Sequence, residues 1–182
     1  MTRGTRGAGA LAAAGLALTM LAAPHGAEAQ RRSQFGTVMQ QIHDTVEVTV
    51  EYSRPVARGR ALFGELVAWD EIWTPGANKA TNLILSHDLR VGGTPVPAGR
   101  YSVWLIPRRE GPWTLILNRT SETWHFRYPG KDQEQARIDV WPEAAEHMEV
   151  LAFYFPLVTD DGATLVMHWG TKRVPILLEL GG

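Results

Sequence analysis

The stretch TVEVTVEY at residues 45–52 alternates without interruption. Val46, Val48, Val50 and Tyr52 fall on one face, and Thr45, Glu47, Thr49 and Glu51 on the other. A period of two over that length fits a strand with one buried and one wetted face, and excludes a helix, whose apolar positions recur every three or four residues. Shorter segments of strand character follow at residues 60–67, 81–86, 100–107, 113–118, 137–141, 149–155, 164–169 and 173–180. Among the stretches between them, VGGTPVPAG, RREGP, TDDG and WGTKR carry the glycine, proline and aspartate that turns require. No amphipathic helical window of useful length interrupts the series. The expected fold is therefore all-β: a single-domain antiparallel β-sandwich or flattened barrel of about eight or nine strands.

One hairpin is explicit. With residues 108–111 as its loop, Ile106 faces Trp113 and Trp104 faces Leu115, which predicts one core-facing surface of Trp104, Ile106, Trp113, Leu115 and Leu117. The same alternation puts Trp141 and Trp169 in the core. Trp69, Trp73 and Trp124 stand instead in polar or turn-rich segments, where an indole has either a covering loop or a ligand over it.

Ahead of the strands, residues 1–29 carry Arg3 and Arg6, an apolar run over residues 10–23, and the small-residue end Ala27-Glu28-Ala29. That is the pattern of a secretory signal peptide cleaved before Gln30, and it predicts a periplasmic or secreted protein. No later run approaches the ~20 apolar residues of a membrane span, so the mature chain is expected to be soluble. Residues 30–44 read as a polar leader, either a flexible arm or a short helix, and residues 45–182 as the sandwich. The sequence has no cysteine. The domain must then stand on its core alone, which roughly 150 residues suffice to build. A formal net charge of −1 gives no electrostatic reason to expect a nucleic acid or an anionic membrane as partner.

Several chemistries lack their parts. There is no G-x-S-x-G elbow and no thiol, which speaks against a nucleophilic hydrolase. His43, His87, His125, His147 and His168 are scattered singly rather than at converging ligand spacings, so no metal and no cofactor is expected. The adjacent acids Asp70-Glu71 and Asp160-Asp161 sit in turn contexts, where Asp ordinarily bonds its own backbone. What remains is basic and polar. YSRPVARGR supplies Arg54, Arg58 and Arg60, whose planar donors suit a carboxylate, a phosphate or a sulfated sugar. EIWTPGANKAT sets Trp73 ahead of Asn78, Lys79 and Thr81 around a Pro75-Gly76 turn.

The ordered series YSRP, GRALFGELV, WTPGANKAT, VGGTPVPAGRYSVWLIP and WTLILN, with a late Trp before the last strand, resembles a family of secreted bacterial domains of unknown function, DUF2911. The match runs through nearly all of the chain from Thr45. It implies a compact β-sandwich in the periplasm or outside the cell, with no established activity. Its signature positions are Tyr52-Ser53-Arg54-Pro55, Gly59-Arg60, Phe63-Gly64, Gly76-Ala77-Asn78, Ala80-Thr81 and Pro97-Ala98-Gly99-x-Tyr101. The chain departs from the family pattern at Thr74-Pro75, where Arg and Thr are usual, and at His125, where Gly is usual.

Three readings follow. In the first, Arg54, Arg60, Trp73, Asn78 and Thr81 line a loop cleft for a small polar ligand, a glycan or a carboxylate, with Arg58, Trp124 and His125 as accessory contacts. In the second, the domain is structural or serves protein interaction, and these polar residues clamp irregular loops by bonding backbone groups. In the third, they serve a hydrolase or isomerase whose base is unidentified. Protein partners are unspecified by the sequence.

Overall fold

The computed structural model describes Met1 and residues 33–181; Met1 apart, the expected signal peptide and its cleavage point lie outside the described residues. In chain order the strands are β1 (Gln34–Ile42), β2 (Val46–Arg54), β3 (Asn82–Leu85), β4 (Leu89–Val91), β5 (Thr94–Val96), β6 (Gly99–Ile106), β7 (Trp113–Asn118), β8 (Glu134–Val140), β9 (Glu143–Thr159) and β10 (Gly162–Leu180). They form an antiparallel six-stranded sheet, β1-β2-β3-β6-β7-β8, and an antiparallel four-stranded sheet, β5-β4-β10-β9. Neither sheet closes on itself, so the architecture is a sandwich rather than a barrel. The chain changes sheet at residues 86–88, 97–98 and 141–142.

The main core lies between the sheets, and β2 shows how it is chosen. Val46, Val48, Val50 and Tyr52 are buried, while Glu47 is exposed and Thr49 and Glu51 are half-exposed. From the facing sheet come Val91, Leu151, Phe153, Leu165, Met167, Trp169, Val174, Ile176 and Leu178. The Tyr52 ring meets Phe153 edge-on at 4.9 Å, and its hydroxyl accepts the Phe153 N–H at 3.1 Å, so one side chain ties the sheets by packing and by a hydrogen bond.

The structure corrects several expectations. Residues 34–42, expected as a flexible arm or a short helix, are the edge strand β1, paired along its length with β2. Residues 60–67 are not a strand. Arg58, Gly59 and Gly64 take φ of 53°, 68° and 93°, and turn bonds such as Val67 N–H to Leu62 O (2.8 Å) coil the segment instead. WGTKR is not a turn but a bulge inside β10: the ladder to β9 shifts on either side of Gly170, whose φ is 56°.

The β6–β7 hairpin exists, but one residue out of the expected register. Leu105 pairs with Leu115 and Trp104 with Ile116, and a slip of one residue sends every side chain to the opposite face. Leu115, Leu117 and Trp113 therefore face the main core. Trp104, 1% exposed, points outward into a second small core with Ile116 and Ala80, flanked by Ile106 and Tyr128. Trp141, placed in the core by alternation, is 65% exposed at the sheet change.

Candidate functional site

The outer face of the six-stranded sheet is roofed by two loops, residues 73–81 and 119–130. The first is pinched at its base by β6. Trp73 exchanges both backbone hydrogen bonds with Leu105 (2.8 and 2.7 Å), and Thr81 O accepts the Val103 N–H at 2.8 Å. Between these anchors Thr74 Oγ1 donates to Val103 O at 2.7 Å and accepts the Thr81 N–H at 3.2 Å, while Thr81 Oγ1 donates to Pro75 O at 2.8 Å. Pro75 and Gly76 can then lie flat against the sheet. A Cβ at Gly76 would stand 2.5 Å from Thr81 Oγ1, so the close approach requires glycine there.

The second loop zips onto the first. Thr123 O accepts from Ala80 N, and Asn78 O accepts both the His125 N–H (2.9 Å) and a bond from His125 Nδ1 (2.8 Å). Beneath them a row of polar residues crosses four strands in register: Glu51, Asn82, Ser102 and Asn118. Two are fully engaged with the roof, Ser102 Oγ donating to Thr120 O and Asn118 Nδ2 to Gly130 O.

Where the row emerges there is a cleft of about 200 Å³, lined by Phe35, Glu51, Ser53, Asn78, Asn82, Arg100 and Glu122 among others. Glu51 accepts an ion-paired bond from Arg100 Nη2, and Lys79 pairs with Glu122 at 2.8 Å, so the lining is charge-balanced. The Lys79 hydrogen bond also holds the Glu122 carboxyl below its ordinary range. Two polar atoms of these lining residues are buried with no partner: Asn82 Oδ1, an acceptor, and Arg100 Nε–H, a donor. Buried polar groups are nearly always paired, and each orphan costs about 1 to 3 kcal/mol.

The residues expected to share one cleft do not converge. Asn78 lines this one; its Nδ2 donates to Ser33 O and Ser53 Oγ, both at 3.1 Å, and its φ is 61°. Thr81 is 0% exposed and committed to the loop base. Trp73 is half-buried, stacked on Trp169 with centroids 6.1 Å apart. Arg54 reaches across to Leu151 O of β9 at 3.3 Å. Arg60 folds onto its own loop, Nε to Ala57 O at 2.9 Å and Nη2 to Val56 O at 2.7 Å, and lines a separate hollow. Arg58 gives its N–H to Glu149 at 2.6 Å. Trp124 and His125 are exposed on the roof, where the Trp124 ring stacks on Phe126 at 6.4 Å.

Sequence patterning does not find Glu51, Asn82 and Arg100, because they meet only through strand register. The one available signal is that Glu51 lies on the polar face of the TVEVTVEY alternation. The histidines are singly placed: His168 is buried between Tyr154 OH (3.2 Å) and Glu146 O (3.0 Å), and His147 pairs with Glu149 (2.9 Å). Among the described residues, no three His, Asp or Glu gather closely enough to hold a metal ion. A larger hollow, about 500 Å³, lies along β9 and β10 among Leu157, Leu177 and Leu180, but its charged groups, Asp161 and Glu179, are both acidic and it holds no orphaned atom.

Neither curated proteins nor solved structures give a match to this chain. A family model does: it matches residues 33–178, from the edge strand β1 to the end of the core in β10, and the chain belongs to that family, the proteins of unknown function DUF2911.

Proposed function

We propose that the protein is an exported binding module for a small, uncharged polar ligand of the glycan class, held in the cleft over Glu51, Asn82 and Arg100. The observation that carries this is the orphaned pair, one acceptor at Asn82 Oδ1 and one donor at Arg100 Nε. A sugar hydroxyl both donates and accepts, so one hydroxyl or two neighbouring ones complete the two valences. The balanced ion pairs leave no net charge to select an ion, and Phe35, 68% exposed beside the cleft, offers an aromatic face to a pyranose ring. Export rests on the leader sequence, and intact mass of material from outside the cytoplasm, expected to begin at Gln30, tests it.

Binding is tested by thermal unfolding with neutral mono- and disaccharides. A sugar at a hundred times its dissociation constant adds about 2.7 kcal/mol of stability. Arg100→Lys keeps a cation opposite Glu51 but removes the Nε–H, and is expected to weaken the shift at least tenfold in affinity with the fold intact. The reading fails if no sugar raises the unfolding temperature, or if Arg100→Lys responds as wild type. A protein-interaction surface is the second reading, favoured by the exposed Trp124 and Phe126 rings, at 52% and 75%. It predicts that Trp124→Ala leaves every sugar response unchanged.

A further inference from the structure

A second hollow, about 300 Å³, opens on the other side of the molecule's chemistry, between the coiled segment at residues 60–69 and the Gly170 bulge of β10. One wall is aromatic. Phe63 packs on Trp113 at 5.0 Å and on Trp69 at 6.2 Å, so both rings are held against the core while remaining half-exposed. Gly64 makes that wall possible: at φ 93° a Cβ would lie 2.4 Å from Trp69 Nε1. The opposite wall is the bulge. Gly170 takes the left-handed φ of 56° that favours glycine, and Lys172, beyond the register shifts around it, lines the hollow.

The charge on this hollow has one sign. Arg60, His147 and Lys172 line it, and no acid does among the described residues. Arg60 spends two donors on the carbonyls of residues 56 and 57, and His147 has Glu149 behind it. Lys172 is different: it is half-buried, and its ammonium makes no hydrogen bond or ion pair among the described residues. An ammonium without a partner has three donors to give, and a carboxylate is the group that matches them. Flat aromatic faces on the facing wall select a ring over an open chain.

We propose that this hollow binds a ring-bearing carboxylate, its ring against Trp69 and Phe63 and its carboxylate at Lys172. The site is independent of the cleft at Asn82 and Arg100, and takes an anion where that one takes a neutral molecule.

The test follows the indole N–H resonances of the full mature chain by NMR during titration with benzoate, D-glucuronate, acetate and D-glucose, with Trp69 assigned through Trp69→Phe. Benzoate or D-glucuronate is expected to shift the Trp69 resonance saturably, and their relative strength tells an aromatic from a sugar acid. Acetate, which lacks the ring, and D-glucose, which lacks the charge, are expected to leave it in place. Lys172→Gln is expected to weaken binding at least about tenfold, the worth of a charge-assisted hydrogen bond, and Lys172→Arg to retain it. The proposal is overturned if neither acid shifts Trp69, if acetate shifts it as strongly, or if Lys172→Gln binds as wild type.

Discussion

Replacing Thr81 by valine isolates the hydrogen bond that shapes the loop over the sheet. The side chain is 0% exposed, and its hydroxyl donates to Pro75 O at 2.8 Å. Valine keeps the shape and one methyl but leaves that carbonyl without its donor in a place water does not reach. The cost of such an orphan is about 1 to 3 kcal/mol. For a domain of this size each kcal/mol moves the midpoint by about 2 to 4 °C, so a fall of roughly 2 to 12 °C is expected. Urea unfolding followed by fluorescence of the buried indoles Trp104, Trp113 and Trp169 reads the same loss as a lower midpoint at unchanged slope. Thr81→Ser is the control, since it keeps the hydroxyl and removes only a methyl, worth about 0.8 kcal/mol. A Thr81→Val protein within about 0.5 kcal/mol of wild type would refute the reasoning. So would a Thr81→Ser protein as unstable as Thr81→Val, because the loss would then belong to the methyl's packing.

Trp104→Ala, emptying the small outer core, is expected to cost about 3 to 5 kcal/mol, whereas Trp141→Ala at 65% exposure should stay within about 0.5 kcal/mol; denaturant midpoints compare them, and equal effects would mean the outer core is not a core. Tyr128 is pushed up from 10 to about 12, first by burial and then by its hydrogen bond to Glu134. The folded state thus holds this proton more tightly than the unfolded chain, so the stabilisation is complete below pH 10 and drains away as the pH climbs through about 12. Tyr128→Phe should flatten that part of the stability profile in urea titrations, and an unchanged slope would remove Tyr128 as its source.

How much of this was legible in the sequence depended on whether a strand had one wet face. β2 does, and its buried residues could be named one by one. β6 and β7 do not. Their eight and six residues carry apolar side chains on both faces, because the roofing loops bury the outer face as well as the sheet partner burying the inner one. With Arg100, Ser102, Thr114 and Asn118 sharing the outer face with Trp104, Ile106 and Ile116, no clean polar period marks the outside, and alternation could propose the hairpin but not its register. Residues 107–112 form a longer connection in which Arg108 Nη1 bonds Pro112 O and Thr114 Oγ1, and Trp113 Nε1 bonds Arg108 O. β1 failed for the opposite reason. As an edge strand it places Gly36, Val38, Gln40 and Ile42 inward while Phe35 and Met39 face out, so its apolar residues follow no period.

The candidate site was harder for a related reason. Polar residues that stand close together in a loop, as Asn78 and Thr81 do, compete first for the loop's own backbone, and here that demand claims Thr81 and Arg60. The atoms left over for a ligand come from strands, where the backbone is already paired and few carbonyls remain to claim a side chain; Asn82 Nδ2 finds one at Ala80, but its Oδ1 finds no donor. Asn82 and Arg100 are of that kind, and they are brought beside Glu51 by the β2-β3-β6 ladder from positions far apart in the chain. Lys172 follows the same logic at the bulge of β10. A motif search favours the loop residues because they are neighbours in sequence, yet the cleft's two unsatisfied atoms, at Asn82 and Arg100, come from strands brought together by register.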